Sequence, residues 1–348
     1  MNMHWARRLG LVALALVPAL GAWAAPVKVV TSFSILEDLV KEVGGPQVEV
    51  QSLVGRDGDA HGFEPGAADS RKLADAQLLV VNGLGFEPWL PRLTRASGFK
   101  GQTVVASQGV KARAFSEAGE GHDHDDHDHD HDHDHDHDHD HDHDHDHDHD
   151  HDHDHDHDHG HEHGHGHHGH SHGPQDPHAW QDLRNGMIYA RNIGRALEAA
   201  DPAHAGQYRA RTDAYVARLQ ALQSRTEADF AAIPAARRKV ASSHEAFGYF
   251  GDAYGIRFIP VAGLSTMSEP SASGFAAIVA QMREEQVPAI FVENIGNTRL
   301  AEQLARETGA KLGGTLYSDA LAQAGEPGAS YLGMFEWNVQ QLLKALQP

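Results

Sequence analysis

Between Gly121 and Gly173 the chain lacks every kind of side chain from which a hydrophobic core is made. These 53 residues comprise 26 histidines, 19 aspartates, one glutamate, six glycines and one serine. With nothing apolar to bury, the segment cannot offset the entropy of being ordered. It is expected to be a disordered loop, and any fold must be built from the chain on either side of it. Histidine and aspartate alternate strictly from His127 to Asp158. An extended chain would separate imidazoles and carboxylates onto opposite sides, and a transient helix would bring like residues together at i and i+4. Both arrangements offer many equivalent sites and define no single one. Imidazole mixed with carboxylate binds divalent transition metals, so His122 to His172 read as an auxiliary metal collector. The carboxylates also favour protonated imidazole, so loading should fall in acid. The formal charge of -22 therefore overstates the negative charge. The plain alternative is a solubilising linker, which has no need of histidine.

The tract also skews the charge balance. It holds 20 of the 50 acidic residues and none of the 28 basic ones, which leaves 30 acids against 28 bases elsewhere. No basic patch points to nucleic acid. Residues 1–24 have the layout of a secretory signal. Arg7 and Arg8 form a positive n-region, Leu9 to Leu20 is an apolar run broken late by Pro18, and Ala22-Trp23-Ala24 supplies small residues at a cleavage site before Ala25. The arginine pair is also compatible with twin-arginine export. The apolar run is shorter than the ~20 residues a membrane span needs. There is no cysteine, which removes a lipidated N-terminal cysteine, disulfides and thiolate ligands. The expectation is a periplasmic protein without a lipid anchor, in which any metal site uses nitrogen and oxygen donors.

Setting aside signal and tract leaves roughly 270 residues, enough for two lobes. Strands are predicted at Val27–Phe33, Val48–Val54, Leu78–Asn82 and Thr103–Ser107, alternating with helices at Ile35–Val43, Ala68–Ala76 and Pro88–Ala96. After the tract come a helix at Gln181–Ala200 and a longer one opened by Asp201-Pro202 as N-cap and first residue. The longer helix carries Tyr208, Tyr215, Leu219, Leu222 and Phe230 on one stripe and ends near Ile233, before Pro234. A second block has strands at Lys239–Ser243, Phe258–Gly263, Ala289–Val292 and Lys311–Tyr317, and helices at Ser273–Glu285, Thr298–Glu307 and Tyr331–Leu346. Alternation of this kind predicts an α/β fold: two (β/α)4-like lobes with mostly parallel sheets, joined by one long rigid helix. The lobes would be 25–200 with the 121–173 loop, and 235–348, with 201–234 connecting them. Ligands in such sheets sit beyond the carboxyl ends of strands, so the cleft between the lobes is the expected site.

Outside signal and tract only His61, His178, His204 and His244 remain. His61, His178 and His244 sit in loops or at strand ends, and Asp319 offers a fourth donor at the end of the last strand. A lone histidine of this kind is more often a turn or cap residue than a ligand, and the plain role for Asp319 is a helix N-cap. His204, at the start of the long helix, reads as a solvated surface residue. The company these residues keep tells against the plain readings. Gly58-Asp59-Ala60-His61-Gly62-Phe63-Glu64-Pro65, Asp176-Pro177-His178-Ala179-Trp180, Ser243-His244-Glu245-Ala246-Phe247-Gly248-Tyr249-Phe250, Phe291-Val292-Glu293-Asn294 and Tyr317-Ser318-Asp319 occur in order along the chain.

From Pro26 to Pro348 the chain thereby resembles the zinc/manganese-binding solute-binding proteins of bacterial ABC importers, the cluster A-I (cluster 9) group. A His-rich loop before the Asp-Pro-His motif is similar to that of its zinc importers. The resemblance implies two lobes on a rigid helix and one ion held by His61, His178, His244 and Asp319. Three imidazoles and a carboxylate suit tetrahedral Zn2+. Manganese members carry glutamate where His244 stands, so a register slip that brought in Glu245, one residue along, would favour manganese instead. Glu64, Trp180, Glu293 and Asn294 are candidates to orient the ligands, with packing or capping as their plain roles. The implied function is capture of Zn2+ and its delivery to an inner-membrane ABC permease with a cytoplasmic ATPase. A periplasmic metallochaperone is a further candidate partner, and a monomer is expected. The alternatives are manganese as cargo, a zinc buffer or chaperone without a permease, and a zinc hydrolase using Glu64 or Glu245 as general base. No catalysis is expected, because four protein donors leave no position open for a substrate.

Overall fold

The computed structural model describes residues 25–115, 175–262, 270–296 and 298–347. The predicted signal and the His/Asp tract lie outside the described residues. Two four-stranded sheets organise the rest. The first contains β1 (Val27–Phe33), β2 (Val48–Val54), β3 (Leu78–Val81) and β4 (Gln102–Val105) in the order β2-β1-β3-β4. The second contains β5 (Lys239–Ser242), β6 (Arg257–Pro260), β7 (Ala289–Glu293) and β8 (Lys311–Leu316) in the order β6-β5-β7-β8. Every pairing is parallel. The two orders are the same topology repeated, and the strand order reverses between β1 and β3 and between β5 and β7.

Both faces of each sheet are covered, and the strand sequences show how. Leu78 and Val80 of β3 face a central core, while Leu79 and Val81 face a separate outer one. In β7, Ala289 and Phe291 face the central core, and Ile290 and Val292 an outer one. Successive side chains of a strand point to opposite faces, so a run with no polar position must be sandwiched. Outer helices α2 (Ala67–Ala74) and α3 (Leu90–Ser97) supply Leu73 and Leu93 on the first side. Helices α7 (Ala272–Glu284) and α8 (Thr298–Thr308) supply Val279, Met282, Ala301 and Leu304 on the second.

The central core is continuous from one sheet to the other. It runs from β1 and α1 (Ser34–Gly44) through α4 (Leu183–Ala200) and α5 (Ala205–Ala231) to α6 (Gly248–Tyr254) and α9 (Tyr331–Leu346). Helix α5 is the spine. At 27 residues it is ~40 Å long. Its buried positions Tyr208, Thr212, Tyr215, Leu219, Leu222, Thr226 and Phe230 follow one another at three- and four-residue intervals, which is one face of a helix. Gly194 of α4 lets that face approach closely: a Cβ there would lie 2.3 Å from Thr212 Oγ1. Residues 25–114 and the described residues after 174 accordingly form one compact unit. Among the described residues no helix is long and apolar enough to cross a membrane.

Three details depart from the sequence-based expectation. Helix α6 is additional to the predicted elements: its seven residues begin at a glycine and carry three aromatic residues, which is too short a stretch to establish a period. Pro202 opens a single 3-10 turn, Pro202–His204, and α5 starts after it. His204 is only partly exposed. Its Nδ1 lies 2.6 Å from Asp201 Oδ2, which also accepts the Tyr208 hydroxyl at 2.9 Å. The aspartate therefore binds side chains of the first turn, and His204 is a paired residue at a helix start.

Candidate metal centre

Four loops at the carboxyl ends of strands, or facing them, deliver four side chains to one point. His61 lies between β2 and α2. His178 precedes the 3-10 turn Ala179–Gln181 that leads into α4. His244 lies two residues beyond β5, and Asp319 three beyond β8. All four are buried, between 0 and 3 % exposed. One donor atom from each lies within 4.8 Å of the others, and Glu245 is not in the group. The three imidazole rings form a nearly equilateral triangle, with centroids 5.5, 5.6 and 5.7 Å apart. Asp319 faces all three: Oδ2 is 2.9 Å from His61 Nε2 and 3.3 Å from His244 Nε2, and Oδ1 is 3.7 Å from His178 Nε2. A tetrahedral ion with bonds of ~2.0–2.2 Å separates its donors by ~3.4 Å, and these contacts bracket that value.

The polar atoms turned toward this point are poorly satisfied by the protein. His178 Nε2, His244 Nε2 and Asp319 Oδ1 are buried without a hydrogen-bond partner, which is costly unless a ligand completes them. Burial works most strongly against ionising Asp319, but the charges and close approach of His178 and His244, with the hydrogen bond to His61, outweigh it and hold its carboxyl well below the usual range. Burial likewise opposes protonation of His244. Glu293 and Asp319 overcome it and raise that imidazole well above its ordinary value.

A carboxylate lies beside each histidine. Asp176 Oδ1 contacts His178 Nδ1 at 2.8 Å and accepts the His178 backbone N–H at 3.0 Å. The other oxygen of Asp176 faces Arg113 at 3.3 Å, and Arg113 also reaches Asp252 at 2.9 Å. Asp59 Oδ1 accepts the His61 backbone N–H at 2.8 Å. Glu293, at the end of β7, accepts the His244 N–H at 3.0 Å and places Oε2 2.6 Å from His244 Nδ1, though off the line of a hydrogen bond. Trp180 packs edge-on against His178 at 5.3 Å. Its indole Nε1 and the Gln181 Nε2 each donate to the carbonyl of Ser318 at 2.8 Å. The chain beside His178 thereby holds the residue before Asp319. On the far side, Asn338 of α9 bonds both backbone groups of Tyr317.

Trp180 and Glu293, expected to orient ligands, lie against His178 and His244 respectively. Asn294 touches no ligand. Its Nδ2 donates to Asp57 Oδ1 at 2.9 Å and to the Ala320 carbonyl at 3.2 Å, tying the loop after β2 to the chain after Asp319. Glu64 is exposed, and this corrects the expectation. Phe63 takes the inward position, its ring 4.9 Å from that of Trp89, and leaves the glutamate to solvent. Asp59 and Asp176 are orienting residues that motif reading alone does not single out. Each stands two residues before a ligand histidine, and that repeated spacing is the signal the sequence carries for them.

The comparisons with known proteins point to one family. Residues 29–345 match the family model described as "ZnuA: Zinc-uptake complex component A periplasmic". A metal ABC transporter substrate-binding lipoprotein of Streptococcus parasanguinis is 27 % identical over 320 residues, covering 92 % of this chain and 89 % of the relative. A manganese ABC transporter substrate-binding lipoprotein of Streptococcus pneumoniae is 26 % identical with the same coverage. Among solved structures, the periplasmic zinc binding protein from Treponema pallidum superposes with a TM-score of 0.74 at 23 % identity, covering 93 % of this chain and 100 % of the other. An Mn-bound periplasmic metal binding protein from candidatus liberibacter asiaticus gives 0.70 at 23 % identity, covering 92 % and 99 %. With its repeated parallel sheets and its cluster of buried side chains that could hold a metal ion, the chain belongs to the ZnuA family, the metal-binding solute-binding proteins of cluster 9 ABC importers.

Proposed function

We propose that this chain captures Zn2+ in the periplasm, holds one ion between His61, His178, His244 and Asp319, and passes it to an inner-membrane permease driven by a cytoplasmic ATPase. The observation that carries the reading is the convergence of three buried imidazoles on one carboxylate, with two ring nitrogens and a carboxylate oxygen unpartnered there. Three nitrogens and one oxygen at near-tetrahedral spacing favour zinc over manganese, which prefers more oxygen donors. Relatives named for manganese make that ion the competing cargo. With Asp319 facing the three rings, no coordination position is left open. A hydrolase would need one, and Glu64, a base proposed for it, is exposed. The His/Asp tract is a weaker, acid-sensitive collector. The named relatives are lipoproteins, and this sequence has no cysteine; we read the chain as a monomeric periplasmic carrier exported by a cleaved leader. The shared core and the α5 spine resist a wide hinge motion, so release proceeds through small shifts of the ligand loops.

Calorimetry and elemental analysis on the intact chain, a form lacking residues 121–173, and the His61→Ala variant test the reading. The tightest site is expected to survive deletion and to vanish with His61→Ala. Loss of that site on deletion would move the binding to the tract. Tighter binding of Mn2+ than of Zn2+ in the deleted form would change the cargo.

A further inference from the structure

Phe86 is the wall of the metal centre that touches two ligands at once. Its ring meets His61 edge-on at 5.5 Å and His178 at 6.2 Å, and it is wedged between Phe33 and Trp180 at 4.9 Å each. It stands on the turn between β3 and α3. The three residues before it, Gly83, Leu84 and Gly85, have φ of 84°, 54° and 79°. Glycine takes up such angles readily. A leucine among them is unfavourable and persists only where its surroundings over-determine it.

What determines this turn is Glu87, whose side chain is buried. Its Oε1 accepts the Ser32 hydroxyl at 2.7 Å and the Asn82 N–H at 2.6 Å, and its Oε2 accepts the Gly83 N–H at 3.1 Å. The Phe86 N–H closes the turn onto the Gly83 carbonyl at 3.0 Å. Asn82 carries the constraint onward. Its Nδ2 donates to the carbonyl of Pro177 at 2.9 Å, directly before His178, and its Oδ1 accepts the Tyr189 hydroxyl. Glu87 thus has one path to the metal centre through Phe86 and another through Asn82, while contacting none of the four donors.

We propose that Glu87 is a positioning residue for the metal centre: by clamping the left-handed turn at 83–85 it sets Phe86 against His61 and His178 and Asn82 against the His178 loop, and so governs how slowly the ion leaves. The inference rests on the reading that the cleft holds the ion. A ring wedged on its face and edge cannot swing away from a bound metal until its neighbours yield. Glutamine at position 87 would offer one oxygen where three donors converge on two, and its amide N–H would oppose one of them. The turn would then relax, and the wall with it.

The test is a chelator chase of the zinc-loaded full-length protein, in which the dissociation phase abolished by His61→Ala belongs to the cleft. Glu87→Gln is expected to speed that phase by ~10-fold or more, within the range for partners behind a ligand. Phe86→Leu is expected to speed it similarly. The double variant should be little faster than the faster single one, because both act through the same wall. An effect confined to the melting temperature, or rates that simply multiply, would overturn the proposal. Should Glu87→Gln fail to fold, Ser32→Ala removes one of the three donors and is judged by the same criteria, with a smaller increase expected. If the wild type shows no phase that His61→Ala abolishes, the functional reading fails and takes this inference with it. If the phase exists and neither variant changes it, only the inference fails.

Discussion

Neutralising Glu293 should weaken metal binding by a calculable amount. Its Oε2 lies 2.6 Å from His244 Nδ1, and its Oε1 accepts the His244 N–H. Glutamine is nearly isosteric and keeps an oxygen for that N–H, so Glu293→Gln removes charge with little change of shape. Adding the width of the ring and a metal–nitrogen bond of ~2.1 Å puts the carboxylate ~7 Å from the ion. Without metal, Glu293 and Asp319 favour the protonated form of His244, so binding a dication in place of that proton adds at most one unit of charge. At an effective dielectric of ~20, a unit charge at ~7 Å is worth about 2.4 kcal/mol, or ~50-fold in Kd, and this is the upper bound because the displaced proton's charge lies closer to the carboxylate than the ion does. Loss of a carboxylate behind a ligand histidine generally costs 10–100-fold. The assay is a competition titration against a chelator at fixed neutral pH, with His61→Ala defining the contribution of weaker sites. A Kd within threefold of wild type, or a tighter one, would refute the electrostatic argument.

Three further outcomes are expected. Gly194→Val should destabilise the protein by ~2 kcal/mol or more, since even a Cβ meets Thr212 at 2.3 Å and overpacked interiors typically lose 1–3 kcal/mol; urea unfolding measures it. Burial raises the Glu87 carboxyl from 4.5 to about 7, against hydrogen bonds that lower it. A folded-state value above the unfolded one gives stability that is present in acid and lost as pH rises through about 7, so the metal-free wild type should lose about 2.5 kcal/mol more than Glu87→Gln between pH 5 and pH 8. Parallel stability curves for the two would contradict this. Asp38, raised to about 6 by burial, contributes a loss of the same sign and is common to both proteins. Asp176→Asn should weaken zinc binding by ~10-fold or more through His178, measured by the same competition titration, and binding equal to wild type would deny that residue its orienting role.

Much of the fold is legible in the sequence because short β-rich runs, apolar or alternating, stand between segments of helical period. Val27–Phe33 and Val48–Val54 agree with the predicted strands to the residue, and the stripe Tyr208, Tyr215, Leu219, Leu222 and Phe230 of α5 is buried as its spacing requires. Legibility stops where structure depends on contacts distant in sequence. Helix α6 is held by aromatic packing of Phe250 on Phe230 and Phe335, partners 20 and 85 residues away. Glu64 resembles a partner of His61 only because it is near in sequence, whereas the packing of Phe63 on Trp89 turns it to solvent. At the centre itself, the rarity of histidine outside the tract and the order of the motifs are enough to single out four residues.

Sequence alone therefore determined the chemistry. It supplied a nitrogen-and-oxygen donor set with no thiolate, a tract that cannot join a core, and strand and helix periods that permit only layered α/β lobes. Tertiary structure decided the geometry. His61 and Asp319 are 258 residues apart in the chain, and only the packing of two sheets about α4 and α5 brings them to 2.9 Å. The same packing brings Glu293 to His244, leaves ring nitrogens unpartnered at one point, and clamps the turn behind Phe86. Local pattern encodes burial and period because those depend on neighbouring residues. The shape of a site built from four separate loops depends on the whole core that aligns them.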